Sequence, residues 1–138
     1  MTRWLAIVAG VMMSNVVVLP LAACTLGGDL ATERRIESEH YRLVFRATPA
    51  VLRSGTPFGL EIRVCPVAGA PLPHRLVVDA TMPAHNHGMN YRPTVQPSRP
   101  GNWRAEGFLL HMPGRWQFAF ELKDATETTL LTLDIDVP

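Results

Sequence analysis

Between Trp116 and Lys123 every second residue is large and apolar: Trp116, Phe118, Phe120 and Leu122 alternate with Gln117, Ala119, Glu121 and Lys123. A period of two sends successive side chains to opposite faces of a strand, so one face of this segment must be buried and the other wetted. The same alternation recurs at Tyr41-Leu43-Phe45, at Phe58-Leu60-Ile62-Val64 and at Leu131-Leu133-Ile135-Val137. Arg75 to Thr81 reads as a further strand, and Trp103, Ala105, Gly107 and Leu109 share one parity in another. Between these runs lie turn residues: Ser54-Gly55-Thr56-Pro57, Pro66 to Pro73, Pro93 to Gly101, and Pro113-Gly114. Short alternating strands punctuated by Pro and Gly imply an all-β chain folded as an antiparallel β-sandwich of about seven strands. Pro93–Gly101, with prolines at 93, 97 and 100, reads as a rigid loop.

The chain begins differently. Arg3 precedes the almost uncharged run Leu5–Ala23, which ends in Leu21-Ala22-Ala23-Cys24. That pattern is a secretory signal, and its end resembles the bacterial lipobox, with Cys24 as the lipidated residue. The competing reading is an uncleaved anchor, because the run falls within the roughly 17–25 residues that span a bilayer; Ser14, Asn15 and Pro20 interrupt it. Residues 1–23 are thus expected to be a signal segment, 24–39 a polar tether and 40–138 the domain. The expected setting is the bacterial cell envelope, lipid-anchored and facing the periplasm or the exterior. Thr25 after the cysteine leaves the choice of inner or outer membrane open. With Cys24 acylated, Cys65 would stand alone, so no internal disulfide is expected. Leaving out Arg3, the basic and acidic side chains balance, so no basic stripe invites nucleic acid.

The chemistry-bearing residues concentrate in Met82-Pro83-Ala84-His85-Asn86-His87-Gly88-Met89 and in His111-Met112. Imidazole and thioether are borderline and soft ligands that favour copper over magnesium or calcium. In extended backbone His85 and His87 would share a face about 7 Å apart, with Gly88 supplying a positive φ. Met89, His111, Met112 or Met82 could complete a trigonal or tetrahedral copper site. His111 suits copper(II) and Met112 copper(I), and adjacent residues in a strand face opposite ways. Zinc fits less well, since the cluster holds no carboxylate and Cys65 lies elsewhere.

Met82-Pro83-Ala84-His85-Asn86-His87-Gly88, followed by Gly101-Asn102-Trp103 and by Met112-Pro113-Gly114-Arg115-Trp116, resembles the YtkA-like and FixH-like exported domains over roughly residues 40–138. The resemblance implies an immunoglobulin-like sandwich associated with copper handling and cytochrome oxidase assembly; a metal-export partner is the other expectation. The His/Met loop also resembles periplasmic copper chaperones, although His111 and Met112 are adjacent where those have a His-x-Met pair.

Each of these residues also has a plainer role. Methionines at strand ends fill cores, the histidines can hold a rigid turn through loop carbonyls, and Trp103, Trp116 and Phe118 follow core parity. His40 and His74 stand alone. Tyr91 and Arg92 can pack at a loop base or contact a partner. The chain carries no Gly-x-Ser-x-Gly elbow, phosphate loop or dinucleotide fingerprint, so no enzyme activity is expected. The expected function is a tethered copper-binding or copper-delivering domain. The alternatives are a metal-free adaptor of an envelope complex and, more remotely, a carbohydrate-binding module.

Overall fold

The computed structural model describes residues 24–138, which are almost entirely β-structure. The strands are β1 (Arg34–Glu37), β2 (Tyr41–Thr48), β3 (Phe58–Pro66), β4 (Arg75–Met82), β5 (His87–Gly88), β6 (Thr94–Arg99), β7 (Asn102–Phe108), β8 (Gly114–Lys123) and β9 (Thr128–Val137). They form a five-stranded sheet in the order β1-β2-β3-β7-β6 and a four-stranded sheet in the order β5-β4-β8-β9. All pairings are antiparallel. The signal segment and the lipobox residues before Cys24 lie outside the described residues.

The two inner faces are the alternating apolar rows. Tyr41, Leu43 and Phe45 of β2 and Phe58, Leu60, Ile62 and Val64 of β3 oppose Trp116, Phe118, Phe120 and Leu122 of β8, all buried. Phe45 meets Phe120 across the sheets with ring centroids 5.0 Å apart, and Phe58 stacks on Phe108 at 5.0 Å. Each such pair adds about 0.5–1.5 kcal/mol beyond its buried area. The sandwich expected from the alternation is therefore the observed architecture.

Three sequence expectations fail for identifiable reasons. Thr94–Arg99 is a strand, β6, despite Pro97: it lies at the sheet edge, where a missing N–H is tolerated. In β7 the buried set is Trp103 and Ala105, then Phe108, with Leu110 beyond the strand, because the register with β3 shifts between Phe58 and Leu60. Gly107, at φ +91°, takes up the bulge and reverses the parity, so Gly107 and Leu109 do not share the core row.

The third failure is the tether. Residues 34–37 form β1, and the segment before it is tied to the body of the domain at Cys24 and Gly27. Cys24 is bonded to Cys65, with Cα atoms 6.0 Å apart. This corrects the expectation of a lone Cys65. Its parity opposite to the core row put its sulfur on the outer face of the sheet, where the N-terminal segment crosses. A sulfur in a disulfide has no valence for a lipid thioether, so acylation of Cys24 and this bridge are alternatives at one atom. Glu33 accepts hydrogen bonds from Thr25 Oγ1 and the Leu26 amide, both at 2.7 Å, and Arg46 donates to the Gly27 carbonyl at 3.0 Å. Burial raises the Glu33 pKa, but the bonds from Thr25 and Leu26 and the nearby Arg35 outweigh it and leave the carboxyl below its usual range.

A buried tyrosine marks one pole of the sandwich. The Tyr41 hydroxyl lies 2.8 Å from Asp124 Oδ2 and 3.0 Å from the Pro71 carbonyl. Asp124 Oδ1 accepts from the Thr126 and Glu127 amides and the Thr126 hydroxyl, closing the β8–β9 turn. Those bonds, with Tyr41's, hold the Asp124 carboxyl well below the usual range; burial and the Asp124 contact push Tyr41 up to about 12. Strand β8 then runs about 30 Å to the opposite pole, where the His/Met residues lie.

Candidate metal site at a sandwich edge

The site is assembled from two connections at one end of the four-stranded sheet. After β4, Pro83–His85 form a single 3-10 turn, and Asn86 closes it in the left-handed region at φ 51°, ψ 40°. The positive φ expected at Gly88 therefore falls on Asn86, a residue whose short polar side chain tolerates it. The chain then doubles back: His87 pairs with Met82 and Gly88 with Thr81, and the Met89 amide donates to the Ala80 carbonyl at 3.2 Å. His85 and His87 are consequently not neighbours along an extended strand. The tight turn nevertheless brings their rings to a centroid distance of 5.9 Å.

The second connection, residues 109–113, crosses from β7 of one sheet to β8 of the other. Trp116, fully buried, donates from Nε1 to the Met112 carbonyl at 3.0 Å and so fixes this crossing. Its indole also backs the histidines. His111 meets it edge-on at 5.5 Å and 83°, and His87 does so at 6.0 Å and 76°. Between them the His87 and His111 rings stand 5.0 Å apart. The two loops that the sequence separates thus meet, with Trp116 as the wall between them and the core. Sequence parity identified Trp116 only as a core residue; its role in orienting two imidazoles depends on the crossing.

His85 and His111 are exposed and His87 is half-buried. The His87 Nδ1 lies 3.3 Å from the Gly88 carbonyl, a contact that favours a proton on Nδ1 and leaves Nε2 free to bind. Met89 and Met112 are half-buried and pack against the core. Met112 and His111 diverge as adjacent residues should, one inward and one outward. Met82 is buried within the core. A Cβ on Gly114, whose φ is +127°, would come within 2.8 Å of the Met82 methyl, so the glycine makes room for that side chain.

Among the described residues no group of three or more His, Cys, Asp or Glu side chains is arranged to hold a metal ion. What the edge offers is an imidazole pair, a third imidazole beside it and two thioethers nearby in the chain. An ion shared by two imidazole nitrogens at about 2.0 Å sets ring centres about 5–6 Å apart, the separation of His87 and His111. The donors on offer are imidazole and thioether, which are borderline and soft ligands. Comparison of the chain with models of known protein families, with curated proteins and with solved structures finds no match.

Proposed function

We propose that this protein is an exported, membrane-tethered domain that binds copper(I) at the sandwich edge and passes it to an envelope partner. The observation that carries the reading is the meeting of His87 with His111, 5.0 Å apart, although one lies in the short strand after β4 and the other in the crossing from β7 to β8. His87 and His111 are the proposed imidazole ligands. Met89 or Met112 supplies a thioether, which binds copper(I) without losing a proton, and His85 is positioned to receive or hand on the ion. Met82 leaves the ligand set because it is committed to packing against Gly114. Trp116 holds the two loops together and excludes water from the inner side.

An exposed, low-coordinate site is what transfer requires, since an incoming ligand from a partner must reach the ion. Cytochrome oxidase assembly, which the YtkA-like and FixH-like resemblance suggests, and metal export are the proposed partner processes. Attachment to the membrane has two routes in this proposal. Cys24 carries a lipid and leaves Cys65 reduced, or the bridge forms and the Leu5–Ala23 run serves as the anchor.

Copper(I) titration of the purified chain, with His87→Ala and His111→Ala variants, tests the proposal. Binding that is weaker than about 1 µM and indifferent to both substitutions would remove it. A metal-free adaptor is the competing reading, favoured by the lack of a converging three-residue His/Cys/Asp/Glu group among the described residues. In that case the melting temperature will not respond to copper, because only a ligand of the folded state stabilises it.

A further inference from the structure

Along one side of the sandwich β1 approaches β9, and along the other β4 approaches β6, with a cleft lying between these two strands. Strand β5 covers β4 only at Thr81 and Met82, and the Ala80 carbonyl is taken by Met89. Over Arg75–Asp79 the side of β4 facing away from β8 has no partner strand among the described residues. The edge of the opposite sheet is blunted by Pro97 in β6, whereas the exposed length of β4 contains no proline. This open stretch of strand is about 17 Å long, and along it the amides and carbonyls of Leu76 and Val78 point away from β8.

A cleft of about 440 Å³ runs along this edge, bounded by Arg75, Val77 and Asp79 on one side and by Arg92, Val95 and Trp103 on the other. It continues past His74 and Pro97 to Leu72, an apolar side chain that is 46% exposed. Trp103, 7% exposed, lines both parts, and its buried Nε1 has no hydrogen-bond partner. Buried donors are nearly always satisfied, so this one marks a place where an acceptor is missing. Arg75 and Arg92 are exposed and have no ion-pair partner among the described residues. Asp79 accepts from its neighbour's amide at 2.8 Å.

We infer that the β4 edge is a docking site for an extended, acidic peptide segment of a partner protein, which adds as a strand beside Arg75–Asp79. Strand addition satisfies the free backbone groups and draws affinity from main-chain hydrogen bonds, while alternate side chains give specificity. A carboxylate of the segment pairs with Arg92 or Arg75, an apolar side chain covers Leu72, and a carbonyl accepts from Trp103 Nε1 after a small tilt of the indole. The site is at the β4–β6 side of the sandwich and does not depend on the copper proposal.

The test uses the full chain in detergent and a fluorescein-labelled probe, Glu-Val-Thr-Val-Glu-Val, read by fluorescence anisotropy. Two control probes accompany it, one N-methylated on alternate amides and one with lysine in place of glutamate. Saturable binding is expected below about 1 mM, with each control and Arg92→Glu weakening it roughly tenfold or more. Trp103→Phe, which keeps the ring in the core but removes the donor, is expected to weaken it several-fold without lowering the melting temperature by more than a few degrees. Failure of the acidic probe to saturate, or equal binding of the N-methylated probe, overturns the inference. Equal binding of the lysine probe overturns its charge preference.

Discussion

Removing the Cys24–Cys65 bridge is expected to destabilise the domain by about 4 kcal/mol. The bridge closes a loop of 41 residues in sequence separation, and the chain-entropy relation for a loop of that length gives roughly 13 cal/mol/K, or about 4 kcal/mol at 25 °C. Cys24→Ala and Cys65→Ala should each produce this loss, and the double variant no more, since either one abolishes the same constraint. The hydrogen bonds of Glu33 to Thr25 and Leu26 remain in all three and keep the segment partly docked. Urea denaturation followed by tryptophan fluorescence measures the loss, because Trp103 and Trp116 are both buried. The corresponding fall in melting temperature is on the order of 15 °C. Intact mass and thiol alkylation identify the state of the starting protein. A melting temperature that does not change on reduction, or a double variant no less stable than the parent, would refute the argument. An acylated Cys24 with a free Cys65 would assign the sulfur to the membrane instead.

Four further outcomes follow from the packing and the charges. Trp116→Phe should cost about 2–3 kcal/mol, from the unpaired Met112 carbonyl and the volume lost, and should weaken copper(I) binding; denaturation and titration of the same sample read both. Gly114→Ala should cost about 1–3 kcal/mol, and Met82→Ala in the same chain should recover only the steric part, because the φ of +127° remains strained; a fully additive double-mutant cycle would contradict the contact. The folded-state pKa of Tyr41 is raised from 10.0 to about 12, so the unfolded chain ionises first and stability should fall as pH rises from 10 to 12. Tyr41→Phe should flatten that alkaline limb. For Asp124 the shift is downward from 3.8, so its stabilisation is present above pH 4 and is lost as the pH falls further; Asp124→Asn should flatten the acid limb, measured by the same denaturation series.

The parts of the fold that the sequence made legible are those where one face is buried over several residues. Trp116-Phe118-Phe120-Leu122 could occupy only a half-buried strand, and it lies in an interior strand of its sheet. Legibility ended where a backbone feature reverses the pattern. Gly107 reads as one more residue in a row, and only pairing with β3 reveals that two residues of β7 oppose one there. Pro97 reads as a breaker until the strand is known to lie at an edge. The residues before β1 carried no periodic signal because their attachment is made by one disulfide and a few hydrogen bonds, not by an apolar face. At the site, residue types were legible and placement was not. His85 and His87 were expected to be joined by strand geometry and are instead joined by a turn at Asn86. Contact between His87 and His111 required the crossing of the chain between sheets, a long-range property with no local signature.

Copper(I) binding at the His87–His111 edge is tested most directly by competition titration of the parent and of the His87→Ala, His111→Ala double variant against a chromophoric chelator. The expected result is one equivalent of copper(I) bound more tightly than about 1 µM, weakened by roughly tenfold or more, or 1.4 kcal/mol, in the double variant. The melting temperature without copper should be the same in both proteins, since His111 is exposed and His87 half-buried. Equal affinity in the parent and the double variant, or no stoichiometric binding in either, would contradict the account.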